Sequence, residues 1–122
     1  RALRAFADSL RATLSHDLAS QAHRSWRVTG DRTATLDLDL GAPVDVGVAR
    51  LEEDIGRGQR VARYTLQGAV DGGWRTMSHG STIGYTKLDR FDPVQVRRVR
   101  LVIEDAVDAP QPIRLGLYPS PS

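Results

Sequence analysis

At 122 residues, 40% hydrophobic and 26% charged, the chain is long enough to form one domain and bury about two-thirds of its unfolded surface. Its net charge of +2, with arginines spread along the chain, argues against a nucleic-acid footprint, which needs a dense basic patch. No apolar run approaches the ~20 residues of a membrane span, and the absence of cysteine excludes disulfides and thiolate metal sites while leaving the compartment open. There is no asparagine, hence no N-glycosylation acceptor. Sixteen arginines against one lysine, with abundant alanine, point to a GC-rich bacterial genome. The first residue is Arg1, so the chain is expected to come from something longer.

Residues 1–19 have the pattern of an amphipathic helix: Leu3, Phe6, Ala7, Leu10, Leu14 and Leu18 recur at spacings of three and four. Arg4 and Asp8 lie on the other face, where they can pair at i,i+4. The apolar stripe either packs on the domain's own sheet or belongs to a preceding domain. Residues 20–32 read as a polar connector whose one large apolar residue, Trp26, is expected to be a buried anchor rather than a ligand platform.

From Thr33 the period changes to two. Ala34, Leu36, Leu38 and Leu40 alternate with Thr35, Asp37 and Asp39, as in a half-buried strand. A turn at Gly41-Ala42-Pro43 should separate it from a second strand over residues 44–51. A charged loop follows, then a long strand with Ala62, Tyr64, Leu66, Gly68 and Val70 on one face. Asp71-Gly72-Gly73 is a hairpin signal, and Trp74 opens the return strand to His79. Residues 80–85 form a glycine-bounded loop. Val99, Leu101 and Ile103 mark another strand, and Ile113, Leu115 and Leu117 the last. About seven short strands with turn signals between them predict an antiparallel β-sandwich or jelly roll; a parallel α/β fold lacks its intervening helices.

Catalytic chemistry is hard to place on this pattern. His16, His23 and His79 have no metal-binding spacing, and no nucleophile elbow, phosphate loop or dinucleotide fingerprint occurs. Glu52, Glu53 and Asp54 are too close in sequence to straddle one glycosidic bond. Next to Arg57 and Arg60 they read instead as a clamp between loop and strand. A sugar site would need an aromatic plate beside polar loop residues. Trp74, directly after a tight turn, is expected to fill the space between sheets. That leaves Tyr85 and His79, with Gln59 and Arg60, as the candidate sugar-binding residues.

Three stretches carry more specific information: LEEDIGRGQRVARYTLQG, DGGWRTMSHGSTIGYTKLDRF and VRRVRLVIEDAVDAPQPIRLGLY. In order and spacing they resemble the C-terminal, discoidin-like β-sandwich of α-L-fucosidases of glycoside hydrolase family 29. Glu53, Asp54, Ile55, Gly58, Gln59, Arg60 and Val61 fall on that family's first motif. Trp74 falls on its strand tryptophan, and Thr82, Ile83, Gly84 and Tyr85 fall on the next loop, with Phe91 on the Phe that follows it. Glu52 stands where the family has Gln, and Thr86-Lys87 stands where it has Lys-Arg.

The resemblance implies a mainly β, galactose-binding-like sandwich preceded by one N-terminal helix. It divides the chain into residues 1–24, a helix and connector from a preceding catalytic barrel, and residues 25–122, the sandwich. Glu53, Asp54, Arg60 and Trp74 then form a structural signature. Because the family's nucleophile and acid/base lie in the barrel, no catalytic residue carries over, and neither metal nor cofactor is implied. The expected function is that of an accessory domain supporting an α-L-fucosidase barrel; the alternative is a stand-alone carbohydrate-binding module for fucose- or galactose-type sugars. The partners expected are the barrel, a fucosylated glycan, and a second copy through the helix stripe, with no nucleic acid and no membrane.

Overall fold

The computed structural model describes residues 17–53, 60–84 and 86–120. The expected helix lies outside the described residues up to residue 16. Its last residues, from Asp17, form a hydrogen-bonded turn in which Ser20 N–H donates to the Asp17 carbonyl and Ala22 N–H to that of Ala19.

The described chain is an antiparallel sheet of six strands: β1 (His23–Val28), β2 (Ala34–Glu52), β3 (Val61–Val70), β4 (Gly73–Gly80), β5 (Lys87–Ala106) and β6 (Arg114–Tyr118). Their order is β1-β2-β5-β3-β4, with β6 also paired to β2. The mainly β, antiparallel class read from the sequence is therefore found, but the strands are divided differently.

Part of the expected connector is β1, an edge strand in register with β2 (Trp26 opposite Leu36). Its polarity hid it, because Trp26 is the residue of this strand packed against the core. Its neighbour Arg24 spends its guanidinium on the carbonyls of Leu115 (3.0 Å) and Ala19 (2.9 Å), tying the edge to β6 and to the N-terminal turn.

The two strands expected on either side of Gly41-Ala42-Pro43 are one strand of 19 residues. The turn chemistry is present but makes a bend: Gly41 has φ 84°, its N–H donates to Asp39 Oδ1 at 2.9 Å, and the register against β5 breaks between Asp39 and Val44. A second break, between Val46 and Val48, falls where β5 carries Pro93. Proline lacks the ladder N–H and is tolerated at such irregularities. In contrast, the hairpin read at Asp71-Gly72 is a two-residue turn with both residues at positive φ (51° and 79°), as a right-twisted ribbon favours.

Alternation sorts the faces. Leu36, Leu38, Tyr64, Leu66, Val99, Leu101 and Ile103 are buried together with Val46, Leu51, Leu115 and Leu117. Both limbs of the bent β2 thus feed a single cluster. Each fully buried leucine or isoleucine contributes roughly 1.5–3 kcal/mol. The opposite face of the sheet carries Asp37, Asp39, Arg98, Arg100 and Trp74.

Candidate functional site

The described end of the charged segment is a backbone clamp. Glu53 is 8% exposed. Its Oε1 accepts from the N–H groups of Arg60 and Val61, both at 3.0 Å, and its Oε2 accepts from Gly84 N–H at 3.0 Å. The Glu53 N–H in turn donates to the Gly84 carbonyl at 3.0 Å. The end of β2, the start of β3 and the loop after β4 are thereby fixed to one carboxylate. The Arg60 guanidinium goes elsewhere, to the Ala109 carbonyl at 2.9 Å, while the Arg60 carbonyl accepts from Val107 N–H at 2.8 Å. A carboxylate–arginine clamp was the simplest reading of the sequence. In the structure the carboxylate holds amides and the arginine holds a carbonyl.

The four candidate sugar-binding residues are not assembled into one described site. Gln59 and Tyr85, like Asp54 of the signature, lie outside the described residues. Arg60 precedes β3, whereas His79 pairs with Thr65, five residues along that strand and so roughly 16 Å away. His79 is exposed, and alternation puts it on the face opposite to its neighbour Gly80.

Beneath Gly80 lies a polar cluster that the sequence did not reveal. The hydroxyl of the fully buried Tyr64 donates to Asp89 Oδ2 at 2.5 Å, and Ser78 Oγ donates to the same oxygen at 3.0 Å. Lys87 Nζ stands 3.7 Å from Asp89 Oδ1 and 4.9 Å from the Tyr64 ring centroid. Burial, reinforced by the hydrogen bond to Asp89, pushes the Tyr64 phenol far up. These contacts hold β3, β4 and β5 together.

Trp74 departs most from expectation. It does not fill the interior: 41% of the residue is exposed. The Arg100 guanidinium lies 4.2 Å from its ring centroid, and Arg100 Nε donates to Asp37 Oδ1 at 2.8 Å. Asp37 also accepts from Arg27 at 3.2 Å. One step along the ladder, Asp39 stands opposite Arg98. Its Oδ1 accepts from Gly41 N–H and from Arg97 Nε at 3.0 Å; these two bonds, in that order, hold its carboxyl below the usual carboxylate range. A pocket of about 270 Å³ opens here, lined by His23, Ser25, Asp39, Trp74, Arg98 and Arg100 among others. Of this group, the sequence alone singles out Trp74 for the interior and His23 as a histidine without metal-binding spacing. The signal was present in LDLDL and RRVRL: acidic residues alternating on one strand and basic ones on another mark two outward faces that can pair.

Among the described residues there is no group of three or more His, Cys, Asp or Glu placed to hold a metal ion.

Comparison with known proteins places this geometry in a family. Residues 9–114 match the F5/8 type C domain. A rice protein (Oryza sativa subsp. japonica) whose name assigns it as alpha-L-fucosidase 1 is 38% identical over 68 residues, which cover 56% of this chain and 13% of that one. Among solved structures, SpGH29 superposes with a TM-score of 0.86 at 29% identity, over 95% of this chain and 30% of that one. A glycoside hydrolase 29 family member from an unknown rumen bacterium superposes at 0.80 with 26% identity, over 97% and 22%. The fold also makes up nearly all of a chitosan-binding module from Paenibacillus sp. IK-5, with a TM-score of 0.68 at 16% identity, covering 84% of this chain and 98% of that one. The present chain thus spans about a third or less of its fucosidase relatives. It belongs to the F5/8 type C, or discoidin-like, domain family, in the branch whose relatives are α-L-fucosidases of glycoside hydrolase family 29.

Proposed function

We propose that this chain is the accessory, non-catalytic domain of an α-L-fucosidase, packed on a catalytic barrel that the rest of the polypeptide supplies. The observation that carries the reading is one of coverage. Nearly the whole chain superposes on SpGH29, yet it accounts for only 30% of that protein. The Glu53 clamp supports it: three separate segments are fixed to one buried carboxylate, which gives the rigidity a supporting surface needs. We infer also that the bends in β2 and β5 fold the sheet over its own core as a sandwich, since Leu66 and Leu115 belong to one cluster. Leu66→Ala and Leu115→Ala should then each lower the midpoint of a single cooperative transition; two separate transitions would refute a shared core.

The functional reading is tested with the parent polypeptide, the barrel lacking this domain, and the chain alone. The chain alone should not hydrolyse 4-nitrophenyl α-L-fucoside. The barrel alone should lose thermal stability and several-fold in kcat/KM, and adding the chain in trans should restore part of both. A barrel unchanged in melting temperature and turnover, with no association in sedimentation, would overturn the reading.

A further inference from the structure

A domain that packs on a barrel needs a face to do it with. Among the described residues, the exposed large hydrophobic side chains are Val28, Trp74, Leu88 and Val107. Single exposed aliphatic residues are normal on any surface. Trp74 is different. It stays 41% exposed and forgoes burial that an indole normally gains, yet it is held in place. Arg100 lies 4.2 Å from its ring centroid and is itself anchored by Asp37 at 2.8 Å. A ring fixed before its partner arrives loses little freedom on docking, and Trp and Arg are the residues that most often dominate interfaces.

The sheet face that carries Trp74 is large enough for such a contact. One row of paired residues, Ser25, Asp37, Arg100, Gln67 and Thr76, crosses all of β1-β2-β5-β3-β4. Strand spacing of ~4.8 Å makes the face about 19 Å wide, and a strand the length of β1 makes it about 20 Å long. It covers about 400 Å², so an interface there buries about 800 Å² over both partners, within the ~600–1,500 Å² found between domains of one chain. The face also carries unbalanced charge. Arg27 and Arg100 both pair with Asp37, and Arg97 pairs with Asp39. Arg98, exposed and opposite Asp39, forms no ion pair with a described residue, because Asp39 Oδ1 already holds Gly41 N–H and Arg97. Arg63 and Glu104, farther along, offset each other. Four arginines against two aspartates leave two positive charges over.

We propose that this sheet face is the one that docks on the barrel of the same polypeptide, with the Trp74 indole in an apolar socket and barrel carboxylates opposite Arg98 and Arg27; the inference rests on the accessory reading above. An acidic partner surface completes the charge pattern that Asp37 and Asp39 leave short. The occupant is the barrel rather than a separate protein because in SpGH29 and in the rumen-bacterium glycoside hydrolase this domain's fold makes up 30% and 22% of one longer chain. Tethering raises the effective concentration of a neighbour far above that of a free partner.

The chain has no cysteine, so single thiols can map the contact. Ser25→Cys and Thr76→Cys mark the two ends of the row across the face, and Val107→Cys marks the loop after β5. Each is placed in the isolated chain and in the parent polypeptide, and alkylation by iodoacetamide is followed peptide by peptide by mass spectrometry. The thiols at 25 and 76 should react at least about tenfold more slowly in the parent, and the thiol at 107 equally fast in both. Adding Trp74→Ala to the parent should speed the protected sites at least about tenfold, as loss of a central anchor does, and Arg98→Glu severalfold. Arg98→Glu keeps the indole and serves alone if Trp74→Ala does not fold. Protection at 107 without protection at 25 and 76 would mean that the domain docks by another face: the accessory reading would stand and this inference fall. Equal rates at all three sites in both proteins would overturn the reading and the inference together. Protection undiminished in a folded Trp74→Ala or Arg98→Glu parent would overturn the anchoring and with it the proposal.

Discussion

Glu53 and Gly84 are joined twice. The Glu53 N–H donates to the Gly84 carbonyl and the Gly84 N–H donates to Glu53 Oε2, both at 3.0 Å. The pair brings the end of β2 to the loop after β4, segments 31 residues apart, and leaves Oε1 for the N–H groups that begin β3. Glu53→Ala strands three amide donors in a largely buried setting. Each buried donor without a partner costs about 1–3 kcal/mol, and Arg60 and Gly84, which are half-buried, can recruit water. The expected loss is about 3 kcal/mol, read as a lower urea midpoint at constant slope. Glu53→Gln keeps one acceptor oxygen and should lose about half as much. A loss below ~0.5 kcal/mol for the alanine variant would mean that water replaces the carboxylate at no cost.

The acid and alkaline limbs of stability should trace to different residues. The Asp39 carboxyl is lowered by Gly41 N–H and then by Arg97. Its contribution is therefore complete above the unfolded value, about 3.9, and is lost as pH falls through the lower folded value. The Tyr64 phenol is raised by burial and then by Asp89. Above about pH 10 the unfolded chain sheds that proton while the folded one keeps it, so stability falls as pH rises. Urea midpoints measured across pH should show a shallower acid limb in Asp39→Asn and a shallower alkaline limb in Tyr64→Phe. Some alkaline slope should persist, because burial also raises Tyr118. An alkaline limb unchanged in Tyr64→Phe would remove Tyr64 from this account.

Gly80 is required by packing. A Cβ built there meets Lys87 Nζ, which can swing away, but also the Tyr64 hydroxyl at 2.8 Å and Tyr64 Cε1 at 2.9 Å, which cannot move without breaking the bond to Asp89. Gly80→Ala should cost about 1–3 kcal/mol, in the range of overpacking. The double variant Gly80→Ala, Tyr64→Phe should show strong coupling, since one site removes what the other displaces. Additive losses would show that the methyl group is accommodated elsewhere.

What could be read from the sequence follows from how local each signal is. The hairpin at Asp71-Gly72 was legible because two consecutive residues suited to positive φ admit few other outcomes. The inward faces of β3 and β5 were legible because Tyr64, Leu66, Val99, Leu101 and Ile103 alternate with polar residues. β1 was missed because an edge strand buries little, and Trp26 by itself shows no period. Gly41-Ala42-Pro43 misled because the same residues that end a strand can also bend one; only pairing with β5 across the break decides. Trp74 was assigned to the interior from its place after a turn, and its exposure depends on Arg100 and Asp37, both more than 25 positions away in sequence. The Tyr64–Asp89 bond is likewise non-local, joining residues 25 apart.

We infer that the sheet domain also takes in residues ahead of position 24. Reading from the sequence placed residues 1–24 with a preceding barrel. Yet Asp17 Oδ1 accepts from Leu117 N–H at 2.9 Å and from Ala19 N–H at 2.8 Å, Leu18 N–H donates to the Leu117 carbonyl at 2.7 Å, and Ala19 is fully buried within the main cluster. Arg24 closes the same corner from β1. We infer that the folded unit takes in Asp17, Leu18 and Ala19 as well. Asp17→Ala removes the acceptor of two amides and should cost about 1–3 kcal/mol, read as a lower urea midpoint of the sheet. Ala19→Asp places a charge inside the main cluster and should cost more. Amide exchange at Leu117, whose N–H loses its acceptor, should accelerate in Asp17→Ala. Exchange and midpoint unchanged in both variants would mean that the Asp17 corner is dispensable and that the later boundary stands.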